Sequence, residues 1–275
     1  MMNVLVFDIE TVPDVASGRQ LYGDPLEMAQ LSDEDVARVM SHYRYQETEG
    51  QSEFLRLHLQ RVVAISIVLR SGDQFKVWSL GEAESSEPEL IHRFFEGLQK
   101  YKPTLVSWNG TAFDLPVLHY RSLLHGVSAP LYWTTENTSD GHFRWNNYLN
   151  RYHERHIDLM DMLANYQARA YVSLEQMAIL LGLPGKMGMS GHKVWDTYLE
   201  KGLQGIEEIR HYCETDVLNT YLIYLRFELI RGHLTPETYA QECQRVKTAL
   251  QAENKPHLNE FLQLWTQRQH TIKPS

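Results

Sequence analysis

Apolar segments along the chain predict a sheet that begins close to the amino terminus. Five segments have the length and apolar character of buried strands. They cover residues 3–9, 61–69, 74–80, 104–108 and 156–159. A short Ser-Gly-Asp turn at 71–73 would join the second and third strands as an antiparallel hairpin.

Helical spacing of apolar residues predicts helices mainly after this hairpin. They cover residues 32–45, 88–101, 113–124, 173–181, 206–231, 236–252 and 257–268. An antiparallel hairpin followed by alternating strands and helices is typical of a mixed sheet covered by helices. We therefore predict an α/β fold with a mixed five-stranded sheet, flanked by helices and followed by a helical C-terminal extension.

The segments outside these strands and helices indicate how the chain is divided into a domain, an insertion and an extension. Residues 11–60 are polar and partly helical, and we interpret them as an insertion between the first two strands. Residues 128–155 have no clear period and are expected to form an irregular loop. The predicted domain covers residues 1–232 with this insertion, and the helical extension covers residues 233–275.

Composition limits the possible classes of protein but does not indicate a function. The net charge of −9 gives little support to broad non-specific binding of nucleic acid, which depends on lysine and arginine. The first residues lack the basic start of a signal peptide, and no apolar run approaches the roughly 18 residues of a membrane span. With only two cysteines, Cys213 and Cys243, a reducing cytoplasm is the expected location. The sequence identifies no protein partner.

The candidate chemistry begins with Asp8 and Glu10 on the first strand. Alternation along a strand puts both carboxylates on one face, where a divalent cation would offset their charge. Taken alone, the pair also fits two acids exposed to solvent at the end of a strand. Asp114 at a predicted helix start, taken alone, fits a helix N-cap better than a catalytic acid, and Tyr212 with Asp216 fits one face of an ordinary helix.

Together these elements carry a resemblance. Phe-Asp-Ile-Glu-Thr at 7–11, Asn-x-x-x-Phe-Asp at 109–114 and Tyr-Cys-x-x-Asp at 212–216 resemble the three exonuclease motifs of the proofreading domain of B-family DNA polymerases. The resemblance spans about residues 1–230, and no polymerase domain follows, so the expected group is the stand-alone bacterial 3′–5′ exonucleases related to that domain. It implies a ribonuclease H-like fold and membership of the DEDD superfamily, in the DEDDy subgroup.

The resemblance implies a set of roles. Asp8, Glu10, Asp114 and Asp216 would be the metal-binding acids, and Tyr212 the tyrosine of the subgroup. Four oxygen donors suit two Mg²⁺ or Mn²⁺ ions, which would hold the scissile phosphate and activate water. The resemblance also implies that Asn109 contacts the substrate near its 3′ end. Phe113 is a further candidate substrate contact as a platform for base stacking, although it also fits a core residue. His211 has the spacing that the histidine subgroup uses, and we favour Tyr212 over it because the other motifs are polymerase-like.

The glycine-rich loop at 185–193 supplies Lys186 and Lys193 as candidate phosphate contacts, although it also fits a flexible solvated loop. The expected activity is removal of nucleoside 5′-monophosphates from the 3′ end of single-stranded DNA. Two alternatives stay open: a 3′–5′ exoribonuclease, and a catalytically silent module that binds nucleic acid or docks to another protein.

Overall fold

The computed structural model of the chain describes residues 3–138 and 141–271. Its centre is a five-stranded sheet in the strand order β3-β2-β1-β4-β7. The strands are β1 (Asn3–Pro13), β2 (Gln60–Ser71), β3 (Gln74–Ser79), β4 (Thr104–Ser107) and β7 (His156–Asp158), and β5 (Asn137–Thr138) pairs with β6 (Gly141–His142) in a separate small hairpin. Because β1 runs antiparallel to β2 and parallel to β4, the predicted mixed sheet is confirmed.

Helices cover both faces of this sheet. They are α1 (Val15–Leu21), α2 (Pro25–Met28), α3 (Asp33–Glu47), α4 (Glu87–Tyr101), α5 (Asp114–His125), α6 (Pro130–Trp133), α7 (Leu159–Leu163), α8 (Leu174–Leu180), α9 (Val194–Lys201), α10 (Leu203–Ile230), α11 (Pro236–Glu253) and α12 (Pro256–Thr271). Helices α4 and α5 pack on one face, and α10 packs on the other with α8, α11 and α12 around it. Within the described residues, every helix is too short or too polar to cross a membrane.

Several predicted boundaries were wrong because short elements leave little periodic signal. Residues 128–155 contain α6 and the small hairpin rather than only irregular loop. Strand β7 ends at Asp158, whose carboxylate accepts hydrogen bonds from Met160 N and Asp161 N and so begins α7. Helix α9 was not predicted, and α10 begins at Leu203 rather than at residue 206.

Residues 14–59, here called the connecting segment, link β1 to β2. The segment contains α1 and α2 in addition to the predicted α3, and it has a small apolar core of its own. It is joined to the sheet domain by the guanidinium of Arg121, which lies 2.6 Å from both Asp14 Oδ2 and Glu87 Oε2. Strand β1 includes residues 11–13, so the predicted insertion began three positions too early.

The C-terminal helices share the core of the sheet domain. Leu250 of α11 and Phe261 and Trp265 of α12 are buried in the same apolar cluster as α10. Arg70 of β2 forms a buried ion pair with Glu242 of α11 at 2.7 Å. These contacts attach both helices to the domain, while its division at residue 232 stays a prediction.

Candidate active site

The alternation of β1 decides where its two acids lie. Val4 and Val6 belong to the core beneath α10, whereas Phe7 belongs to the opposite core beneath α4 and α5. Asp8 and Glu10 share the parity of the valines and therefore lie on the α10 face. The pairing of β1 with β2 shifts by one residue directly after Glu10, because β2 carries an extra residue there, Val63.

The turn after β4 is shaped by backbone constraints. Asn109 has a φ of 68°, a left-handed conformation that asparagine tolerates better than most residues. A Cβ atom on Gly110 would lie 2.4 Å from Ser107 Oγ, so the close turn requires glycine there. The carboxylate of Asp158 accepts hydrogen bonds from Asn109 N at 2.9 Å and Thr111 N at 2.8 Å. Asp158 therefore holds this turn.

Asp114 follows the turn as the first residue of α5 and is buried. Its Oδ1 atom accepts a hydrogen bond from the backbone N–H of Ile9 at 3.1 Å. The contact ties α5 to β1 between the two acids of that strand. The side chain therefore does more than begin a helix, because it faces the pair on β1.

Helix α10 brings Tyr212, Cys213 and Asp216 close to the acids of β1. The Cys213 thiol lies 3.4 Å from the backbone oxygen of Asp8 and 3.5 Å from its Oδ2 atom. Tyr212 and Asp216 lie one turn apart, and the Tyr212 hydroxyl is close enough to the Asp216 carboxylate to lower the pKa of that acid. The Oδ1 atom of Asp216 is buried and has no hydrogen-bond partner among the described residues.

Lys186 is the cation that influences the pKa values of these acids. Its ammonium lies 5.5 Å from the centre of the Tyr212 ring, and its charge opposes the rise in the pKa of both Glu10 and Asp216. The preceding residue, Gly185, is fixed by the Asn219 amide, which accepts from its N–H at 3.2 Å and donates to its carbonyl at 3.0 Å.

The pKa values of the acids reflect burial and mutual repulsion. Burial raises the pKa of Asp8 well above its usual value, and the charges of Asp114, Glu10 and Asp216 raise it further. Burial and the charge of Asp216 do the same for the pKa of Glu10. Burial raises the pKa of Asp114 to about 7 and that of Asp216 to about 6. Such a group resists full ionisation until positive charge arrives.

These residues fit a divalent cation with oxygen ligands. Ligand atoms of Asp8, Glu10 and Cys213 lie within 4.8 Å of one another, and Asp216 adds its unpartnered Oδ1. Burial and the charge of Asp8 raise the pKa of the Cys213 thiol well above its usual value, so the sulfur stays protonated. The oxygen donors that remain are those preferred by Mg²⁺ and Mn²⁺.

The other sequence candidates lie in different surroundings. His211 stacks on His257 of α12 at 4.0 Å between ring centres, so its side chain is turned toward α12 whereas Tyr212 contacts Asp216. Phe113 is half-buried, with its ring centre 5.8 Å from that of Phe54. Lys193 is exposed in the turn before α9 and makes no ion pair with another described residue.

Sequence reasoning missed Cys213 and Asn219 as parts of this site. Cys213 stands inside a motif but has no chemical signature of its own, and its contact with Asp8 joins residues 205 positions apart. Asn219 was visible as a polar residue on a strongly apolar helix, and such a residue needs a buried partner.

The fold is similar to that of a family B DNA polymerase from the hyperthermophilic archaeon Pyrobaculum calidifontis. The match has a TM-score of 0.50 and 15% identity, and it covers 91% of this chain and 28% of that chain. The chain belongs to a family described as predicted 3′–5′ exonucleases related to the exonuclease domain of PolB, whose profile matches residues 52–265. A short stretch of 45 residues is 44% identical to the catalytic subunit of DNA polymerase epsilon from Saccharomyces cerevisiae, and it covers 16% of this chain and 2% of that protein.

Proposed function

We propose that this protein hydrolyses single-stranded DNA from its 3′ end and releases nucleoside 5′-monophosphates. The observation that carries the proposal is the convergence of four carboxylates, from β1, α5 and α10, around Asp8 and Glu10 of β1. Their raised pKa values indicate a site that needs cations to be complete. Membership of the exonuclease family supports the same interpretation.

The proposed ligands are Asp8, Glu10, Asp114 and Asp216, holding two Mg²⁺ or Mn²⁺ ions. When bound, such ions neutralise charge on the scissile phosphate and lower the pKa of an attacking water. Asp114 contributes alignment as well, since its bond to Ile9 N fixes the start of α5 against the strand that carries the first two acids.

In this proposal Tyr212 acts as a hydrogen-bond donor and not as a base. Burial and the nearby charges of Asp216, Glu10 and Asp8 raise the pKa of its hydroxyl far above the usual value, so the proton stays in place. A protonated hydroxyl can orient the attacking water or bond a phosphate oxygen. The Lys186 ammonium supports it by pairing with phosphate charge beside the acids.

Three further residues would position the strand. Asn109 and Phe113 flank the turn that leads to Asp114, and in this proposal they contact the terminal nucleotide. Lys193 is exposed and can meet a phosphate further along the strand.

The test is a nuclease assay on protein purified free of host nucleases. Single-stranded DNA labelled at its 5′ end is incubated with Mg²⁺, Mn²⁺ or EDTA, with the wild type, Asp216→Asn and the exposed-acid control Asp73→Asn. We expect stepwise shortening by the wild type and the control, no shortening by Asp216→Asn, and none in EDTA. A 3′-terminal phosphorothioate linkage should slow the wild type, because hydrolysis starts at that end.

Two other results would replace the proposal. Faster shortening of a matched RNA strand would make the protein an exoribonuclease. Binding of DNA without metal-dependent hydrolysis would make it a silent binding module. Equal hydrolysis by Asp216→Asn would remove the four-acid assignment.

A further inference from the structure

The last part of the connecting segment presents one side of the chain to solvent. Phe54, Arg56 and His58 are exposed there. The leucines that alternate with them belong to apolar clusters on the inner side. An aromatic, a cation and a second ring therefore form a row of exposed side chains at alternate positions of a well-packed stretch. Interleaved rings and cations are the side chains that bind unpaired nucleic acid.

Hydrogen bonds fix the backbone at Phe54. A loose chain therefore does not account for the exposure of its ring. Arg44 Nε donates to Phe54 O at 3.1 Å, and Ser52 Oγ accepts from Phe54 N at 3.1 Å. Ser52 N in turn donates to Thr48 Oγ1 at 2.9 Å. With these bonds in place, Phe54 still has 57% of its surface exposed.

Two rings, one directly before α5 and one within it, meet this row. Phe113, directly before α5, has its ring 5.8 Å from that of Phe54, and Tyr120 has its ring 6.1 Å from that of His58. Phe113 stands at the N-cap position of α5 and Tyr120 lies seven positions later, so the two residues are about 10.5 Å apart along the helix axis. This distance equals about three stacked bases at the roughly 3.4 Å spacing of one DNA strand.

One end of the arrangement adjoins the candidate active site. Phe113 is followed in the chain by Asp114, which is bonded to Ile9 between the two acids of β1. A strand whose 3′ end lies at the acids would therefore meet the Phe54–Phe113 pair before the His58–Tyr120 pair.

We propose that Phe54, Arg56 and His58, together with Phe113 and Tyr120, form an aromatic track that stacks the bases of single-stranded DNA behind its 3′ end. The inference rests on the proposed function and gives the connecting segment a role in it. Unpaired bases are the occupant that fits, because each offers a flat face to a ring, and paired bases do not.

Charge decides how the track would bind. Arg56 is already paired through Nε with Glu47 at 3.0 Å, and the chain carries a net charge of −9. Few phosphates can therefore be neutralised along this surface. Stacking supplies most of the affinity, and binding depends on salt less steeply than in a basic groove.

The experiment measures binding of the full chain, silenced by Asp216→Asn, to a fluorescent single-stranded DNA in Mg²⁺. We expect Phe54→Ala to raise Kd about tenfold, and Tyr120→Ala or His58→Ala to raise it by about three- to tenfold. Phe54→Trp keeps a stacking ring and should match the parent. Leu123→Ala is the matched control, since Leu123 is 83% exposed on α5 and lies outside the track.

Abasic sites separate stacking from a structural role. In DNA with one base removed at the position that stacks on Phe54, Phe54→Ala should cost nothing further. The positions that cancel Phe54→Ala and Tyr120→Ala should differ by about three nucleotides. A Kd for Phe54→Ala equal to that of Leu123→Ala, or the same loss at every abasic position, would overturn the track.

Two checks keep the outcome interpretable. If Phe54→Ala does not fold, the abasic scan on the parent and on Phe54→Trp decides, and a flat scan on both overturns the track. Failure of the proposed function is recognised separately, because the wild type would then leave DNA intact in the nuclease assay whatever the track variants bind.

Discussion

The side-chain amide of Asn219 satisfies both backbone polar groups of Gly185. Its Oδ1 accepts from the N–H at 3.2 Å, and its Nδ2 donates to the carbonyl at 3.0 Å. Asn219 is fully buried, one turn beyond Thr215 on α10. It thereby fixes the residue before Lys186 to the same helix that carries Tyr212 and Asp216.

Removing this amide should cost both stability and activity. Asn219→Ala leaves two buried backbone groups without partners, and we expect the free energy of unfolding to fall by about 1–3 kcal/mol. KM should rise because Lys186 loses its support. Urea unfolding and steady-state kinetics check this. Asn259→Ala, which removes an exposed amide bonded to Asn254, should stay within about 0.5 kcal/mol of the wild type. A neutral Asn219→Ala would show that the loop is held by other contacts.

Removing one acid should stabilise the protein when no metal is present. Asp8→Asn keeps the side-chain shape and takes away a charge that burial, Asp114 and Glu10 all disfavour. We expect a gain of about 1 kcal/mol in EDTA. Millimolar Mg²⁺ should then stabilise the wild type more than the variant, because binding to the folded state adds to its stability.

Thermal melting in EDTA and in Mg²⁺ measures both effects. Asp73→Asn is the control, since the side chain of Asp73 is 99% exposed and its removal should leave the response to metal unchanged. Equal shifts on adding Mg²⁺ to the wild type and to Asp8→Asn would argue against Asp8 as a ligand.

The stability of the metal-free protein should fall as pH rises through the range in which Asp114 titrates. Burial raises the pKa of Asp114 from 3.8 to about 7, so between these values the folded chain holds a proton that the unfolded chain has lost. Its contribution to stability is therefore full below the lower value and is lost as pH rises toward the upper one.

Two histidines act in the opposite direction. Burial lowers the pKa of His119 and His156 to about 4, which favours folding as pH rises. The informative quantity is therefore the melting temperature of the wild type minus that of Asp114→Asn in EDTA. We expect this difference to fall as pH rises from 5 to 8. Each kcal/mol of unfolding free energy that the wild type loses relative to the variant should lower the difference by roughly 2–4 °C. A difference that rises over this range would contradict the shift.

Tyr212 and His211 should respond differently to substitution. Tyr212→Phe removes a donor beside Asp216 and should lower kcat roughly ten- to hundredfold, the effect of one hydrogen bond to a charged group. His211→Ala removes a ring stacked on His257 of α12 and should leave kcat within about twofold. Rates at saturating DNA check both. An inactive His211→Ala with a fully active Tyr212→Phe would reverse the assignment.

The sequence predicts the sheet well because its signals are local. Apolar runs mark the strands, and alternation along β1 is enough to put Asp8 and Glu10 on one face. The contacts that complete the site join distant positions and leave no such signal. Ile9 and Asp114 are 105 residues apart, and Gly185 and Asn219 are 34 apart. The connecting segment was harder still, since α1 and α2 are short and their caps are ordinary aspartates.

The distance in sequence between the acids also governs when the site exists during synthesis. Asp8 leaves the ribosome well before the Cys213 thiol that packs against it, which follows 205 residues later. Helix α10 ends at Ile230, so the acids can meet only after that helix has emerged. A nascent or truncated chain therefore carries the first two acids without the pocket that collects them. The four-acid site that we propose can be completed only once α10 has been made.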